Sequence, residues 1–235
     1  MAQSLDLTAP VAVALDFPDA QRVRSMAAAV ADHVGVFKVG LTTIYGSGPD
    51  LVAELARVKP VFLDAKLHDI PAQVEGAVEA LAGRGASLVT VHAAGGFDMV
   101  KGAVAAAGEN LAVLAVTVLT SLDDAELDRL GFTGASEDAV LRLAERALDA
   151  GAPGLVCSPL EVAALRRRFG ARSEGGPLLV VPGVRPAGVD AADQRRTLAP
   201  RAALEAGADL LVLGRPITGA PDPVEAARAL EESLR

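Results

Sequence analysis

Short runs of Val, Leu and Ala alternate along the chain with longer segments whose apolar residues recur at helical spacing. The runs are Val11–Asp16, Val36–Gly40, Pro60–Lys66, Leu88–His92, Leu111–Leu119, Gly154–Ser158, Leu178–Gly183 and Leu210–Gly214. They are apolar almost throughout, which marks strands buried on both faces, as in a parallel sheet. Successive runs begin 23 to 43 residues apart, which is room for a strand, a helix and two loops. Parallel neighbours need a crossover of about a dozen residues or more, and helices supply it. Eight such units in 235 residues predict an α/β protein, a single-domain (β/α)8 TIM barrel spanning residues 1–235. An open doubly wound sheet is the alternative, but the phosphate fingerprint G-x-G-x-x-G is missing after the first run.

Punctuation residues place the helices. Pro18 and Asp19 are expected to open the first, and Gly151, Gly170 and Gly207 to stop later ones. The last helix is expected near Asp222–Pro223, with Val224, Ala227 and Leu230 on one face. Residues 121–150 have room for an extra short helix, and residues 184–199 read as a polar loop, long for this architecture.

Composition narrows the function. The chain is 51% hydrophobic, enough to bury a core and exclude disorder. Its 22 basic and 30 acidic residues leave a net charge of −8, and only 3% of residues are aromatic, which argues against nucleic-acid binding. The single Cys157 excludes an internal disulfide and reads as a small core hydrophobe. The N-terminus lacks the basic and apolar regions of a signal peptide, and no run is long enough to span a membrane. The expectation is a cytoplasmic protein with neither membrane nor nucleic acid as partner.

Polar residues at the C-terminal ends of buried strands are the informative ones, because barrel enzymes build their sites there. They are Asp16, Lys38, Asp64, Lys66, His92, Thr120, Ser158, Arg185 and Arg215. Asp64 and Lys66 are two apart, hence on one side of a strand, and should pair as buried charges must. Lys38 can neutralise Asp64, or else snorkel to water. Gly214–Arg215 and Gly183–Arg185 follow the last two strands, where barrels commonly hold phosphate. Gly214 lets a backbone approach an anion, and Arg215 can bind one bidentately. His68 and His92 serve either as acid–base groups or as structural hydrogen-bonders, and His33 decorates a helix end. No spacing resembles a His/Cys metal cluster, and no G-x-S-x-G element supports a serine nucleophile.

Asp64–Pro71 (DAKLHDIP) resembles the D-x-K-x-x-D signature of the orotidine 5′-phosphate decarboxylases. VALD ending at Asp16, FKVG around Lys38, VTVHAAGG at 89–96, LTS at 119–121, PGVR at 182–185, DQRR at 193–196 and LGRPIT at 213–218 resemble the same family in the same order. Lys38 stands where metal-dependent sugar-phosphate relatives typically carry Glu, and Ala72–Gln73 departs from a frequent Asn-Thr.

The resemblance implies cofactor-free, metal-free decarboxylation of orotidine 5′-phosphate to UMP. It implies Lys66 as proton donor, Asp64 beside the substrate carboxylate, and Lys38 and Asp69 completing an alternating charge array. Asp69 and Ile70 would come from the other subunit of a homodimer. Asp16 and Lys38 would bind the ribose, Thr120 and Ser121 the pyrimidine. Arg185, Gln194, Gly214 and Arg215 would grip the phosphate, with the loop carrying Gln194 closing over it, and Gln73 would offer a further hydrogen bond. The alternatives are a metal-dependent sugar-phosphate decarboxylase or synthase on the same fold, and a non-catalytic phosphoribosyl-ligand sensor.

Overall fold

The computed structural model describes residues 9–185 and 198–235. Eight parallel strands close into a barrel in chain order, the eighth pairing with the first. Closure excludes the open doubly wound sheet. The elements are β1 (Val11–Ala14), α1 (Ala20–Val30), β2 (Val36–Gly40), α2 (Leu41–Ser47), α3 (Leu51–Leu55), β3 (Val61–Leu67) and α4 (Pro71–Ala82). There follow β4 (Leu88–His92), α5 (Phe97–Ala107), β5 (Ala112–Val116), α6 (Asp124–Arg129), α7 (Ser136–Asp149) and β6 (Gly154–Val156). The last are α8 (Val162–Phe169), β7 (Leu178–Val181), α9 (Pro200–Glu205), β8 (Leu210–Leu213), α10 (Arg215–Thr218) and α11 (Pro223–Leu234).

The core has two parts, set by the two-residue period of the strands. One face of each strand fills the barrel: Ala12, Ala14, Val36, Phe62, Leu88, Leu114, Val156, Val180 and Val212 are among these residues. The other face, with Val13, Phe37, Leu63, Val89, Val113, Leu155, Leu179 and Leu211, packs under the helices. This double burial is why the strands read as unbroken apolar runs.

Local departures have local causes. The first helix begins at Ala20 with Asp19 as its cap, accepting from the Arg22 backbone N–H at 2.8 Å, so Pro18 stands outside it. Gly151, Gly170 and Gly207 do follow helix ends, all with positive φ. The fifth strand is shorter than its apolar run: it ends at Val116, and the Thr117 backbone N–H and hydroxyl both donate to the Val156 carbonyl, at 3.1 and 3.0 Å. In α11, Ala227 and Leu230 are buried but Val224 is 40% exposed, because its turn is held by the Asp222 cap rather than by packing. The extra helix is α6, capped by Asp123. His33 ends a short 3-10 turn and meets Glu231 at 3.0 Å, tying that turn to α11.

Below the barrel, at the N-terminal ends of β7 and β8, Arg166 of α8 forms a clamp. Its guanidinium donates to the carbonyls of Gly207, Gly170 and Pro177 and meets Asp209 Oδ2 at 2.5 Å. The same Asp209 oxygen accepts from Leu179 N at 2.7 Å. A side chain at Gly207, where φ is 109°, would press on the Arg166 stem at 2.8 Å.

Candidate active site

At the opposite, C-terminal rim a cavity of about 670 Å³ opens, a size that takes a small-molecule ligand. Asp16, Lys38, Asp64, Lys66, Thr120, Ser121, Arg185, Gly214 and Arg215 all line it. Closure of the barrel thus brings together residues spread over two hundred positions of sequence.

The charged floor follows from strand phase. Lys38 is two residues past Val36, Asp64 two past Phe62 and Thr90 two past Leu88, so all three continue the barrel's interior face. Lys38 is only 6% exposed and Asp64 9%. Neither is stranded: Lys38 Nζ lies 3.1 Å from Asp16 Oδ1 and 3.5 Å from Asp64 Oδ2, and Lys66 Nζ lies 2.6 Å from Asp64 Oδ2. The order is Asp16–Lys38–Asp64–Lys66, an alternating array within one chain. The Lys38 ammonium is enclosed by carboxylates rather than snorkelling to water.

Asp64 and Lys66 meet as their spacing requires, but not through a regular pleat. Lys66 has φ of 48°, in the left-handed region, which costs a side-chain-bearing residue about 1–2 kcal/mol. Between Leu63 and Leu67 the register against β4 shifts, so β3 bulges there. Thr90 replaces the lost ladder: its Oγ1 accepts from Lys66 N and donates to Asp64 Oδ1, both at 2.9 Å. Strain held at one residue by specific bonds is characteristic of functional sites. Thr90 is a site residue that the sequence reading did not single out, although a Thr inside the buried VTVH run was a visible signal.

Burial is the largest influence on Asp64 and would raise its pKa. The ammonium groups of Lys38 and Lys66 and the hydrogen bonds from Lys66 and Thr90 outweigh it, so the carboxyl titrates below its ordinary range. Gly40 makes room for this assembly. A Cβ there would collide with the Asp16 carboxylate and stand 3.0 Å from Lys38 Nζ.

The remaining candidates divide. Cys157 lines the cavity wall, buried at the end of β6. Ser158 does not line it: the hydroxyl accepts from Leu160 N and the backbone N–H is held by the buried Glu161. His92 and His68 also stand outside the lining and stack on each other, ring centroids 5.3 Å apart. Burial, then His68, then Lys66 lower the His92 pKa. Asp69, Ile70 and Gln73 lie on the exposed entry to α4, away from this chain's cavity. Ile70 is 64% exposed, and Asp69 Oδ1 accepts from Ile70 N at 2.7 Å. Gln194 and the proposed lid lie outside the described residues. The sequence reading also passed over Phe17, Arg22 and Phe62, all of which line the cavity. Among the described residues, no three His, Cys, Asp or Glu side chains gather as metal ligands, and no helix is long and apolar enough to cross a membrane.

Residues 9–230 match the model of the orotidine 5′-phosphate decarboxylase / HUMPS family. The orotidine 5′-phosphate decarboxylase of Anaeromyxobacter sp. (strain K) is 56% identical over 225 residues, covering 95% of this chain and 97% of the relative. That of Thermobifida fusca (strain YX) is 54% identical over 233 residues, 97% of each chain. Among solved structures, orotidine 5′-phosphate decarboxylase from Lactobacillus acidophilus superposes with a TM-score of 0.82 at 35% identity, covering 97% of this chain and 99% of that one. An uncharacterized conserved protein from Geobacillus kaustophilus gives a TM-score of 0.80 at 36% identity, with 96% and 100% covered.

Proposed function

The chain belongs to the orotidine 5′-phosphate decarboxylase / HUMPS family, and from that membership we propose that its cavity converts orotidine 5′-phosphate to UMP and CO₂ without a cofactor. The observation that carries this reading is the buried Asp16–Lys38–Asp64–Lys66 array at one end of a cavity whose β7–β8 side presents Arg185, Gly214 and Arg215. A substrate with a carboxylate at one end and a phosphate at the other matches both ends.

The bond between C6 and the carboxylate breaks, and its electron pair stays on C6, in the ring plane, where it cannot delocalise into the π system. Catalysis therefore has to stabilise a localised carbanion and then protonate it. Lys66 serves both needs: its ammonium stabilises the developing charge and donates the proton that completes UMP, after which it recovers a proton from water. Asp64 is held ionised by two ammonium groups and a hydroxyl, beside the place where the substrate carboxylate sits. Two anions in proximity favour departure of one of them as neutral CO₂. Lys38 fixes Asp64 and, with Asp16, faces the ribose hydroxyls. Thr120 and Ser121 bind the pyrimidine; Arg185, Gly214 and Arg215 bind the phosphate. Binding energy from the unreactive phosphate then holds the reacting end in place.

Asp69 and Ile70 complete the array from a second copy of the chain, and Gln73 is presented on the same exposed turn. The active form on this reading is a homodimer with shared sites. We assign the reaction to the last step of de novo pyrimidine nucleotide synthesis, in the cytoplasm.

The test is an ultraviolet assay of orotidine 5′-phosphate consumption, with and without chelator, on wild type and Lys66→Ala. Turnover unaffected by chelator is expected, falling at least about 10²–10⁴-fold in the variant, as for loss of a general acid. Tight UMP binding without turnover would favour the sensor, and activity lost on chelation the metal-dependent chemistry. Near-normal kcat in Lys66→Ala would remove Lys66 from the mechanism.

A further inference from the structure

Arg22, in the first turn of α1, lines the same cavity as the catalytic array. Its guanidinium lies over the Phe17 ring, 4.3 Å from the centroid. Stacking uses the flat face of a guanidinium and leaves its N–H donors, which lie in the plane, open at the edges. Among the described residues no carboxylate lies within ion-pairing distance of this side chain. Exposed arginines elsewhere on this acidic chain commonly hold one, as Arg24, Arg84, Arg129, Arg168, Arg201 and Arg228 do. A cation held over a ring in the cavity lining, with no carboxylate partner among the described residues, is placed to meet an anion that arrives from solution.

The position identifies which anion. In the closed barrel β1 lies between β8 and β2. Arg22 follows β1, which pairs with β8, and it shares the lining with Gly214, Arg215, Thr218 and Gly219 of the segment after β8. That is the phosphate side. The lining favours an anion: among the described residues it carries the cations Arg22, Lys38, Lys66, Arg185 and Arg215 against the carboxylates Asp16 and Asp64.

Resting on the orotidine 5′-phosphate reading above, we propose that Arg22 is a third arginine of the phosphate site, held ready by Phe17. It draws the phosphate dianion into the cavity and contributes to nucleotide affinity without touching the reacting carbon. It therefore acts on kcat/KM, through affinity and the encounter rate.

The experiment compares UMP and uridine binding, by NMR titration so that weak binding is measured, in wild type, Arg22→Ala and Arg22→Lys. Arg22→Ala should weaken UMP about tenfold or more and leave uridine unchanged, with Arg22→Lys in between. The salt dependence of kcat/KM should be shallower in Arg22→Ala, because one positive charge has left the mouth. Unchanged UMP affinity, or equal weakening of UMP and uridine, would overturn the proposal, the second showing a structural role. Wild type that binds UMP no better than uridine would sink the phosphate reading itself, and this inference with it.

Discussion

A carboxylate is costly to keep charged away from water, yet Asp64 is almost fully buried and held below its ordinary titration range. The linkage has a definite sign. A depressed folded pKa contributes stability above the unfolded value of 3.8, and that contribution is lost as pH falls through the folded pKa. The unfolding free energy of wild type minus that of Asp64→Asn should be constant above about pH 5 and shrink as the solution is acidified further. Denaturant titrations from neutral to acid pH measure it, and a difference independent of pH would contradict the ion-pair account. At this scale the sequence was informative in one direction only. Asp64, Lys66 and Lys38 stood out because charges interrupt apolar runs. Thr90 and Arg22 did not, since a strand Thr and a helix Arg are ordinary residues until a neighbour gives them work.

Elements place these side chains by phase and by rigidity. The strand runs were legible because both strand faces are buried, and the helices because caps and glycines punctuate them. Strand ends were less legible: β5 stops at Val116, where the Thr117 backbone N–H and hydroxyl both donate to the Val156 carbonyl, and β3 bulges through Asp64 and Lys66. The Arg166 clamp escaped the sequence reading altogether, because its four partners are spread over two separate connections, α8–β7 and α9–β8. It joins the N-terminal ends of β7 and β8, far from the cavity rim. Arg166→Ala leaves the half-buried Asp209 without its cation, which costs about 1–3 kcal/mol. Urea unfolding should show that loss while kcat on orotidine 5′-phosphate stays near wild type. A stability change below about 1 kcal/mol, the range of exposed pairs, would mean that the pair is solvated in practice.

At the scale of the molecule, the proposed second copy of the chain would account for Asp69 and Ile70, which are exposed and lie away from this chain's own cavity. If the sites are shared, mixing two inactive variants should restore activity. Lys66→Ala and Asp69→Ala, unfolded and refolded together, should regain roughly a quarter of the wild-type sites, since half the dimers are mixed and each has one intact site. Absence of recovery, with mixed dimers demonstrated, would place both residues in one subunit's site. The net charge of −8 takes on a different meaning here as well. It disfavours nucleic acid, yet the cavity is locally cationic and suited to a small anion. By itself the sequence determined the strand count, the barrel class and the identity of the charges at the rim, because burial and strand period act locally along the chain. Only the tertiary structure decided that Asp16 joins Lys38, that Lys66 turns left-handed against Thr90, and that Arg22 shares the cavity. Those contacts join residues from different strands and helices, and their distances follow from how the barrel closes, which no local pattern encodes.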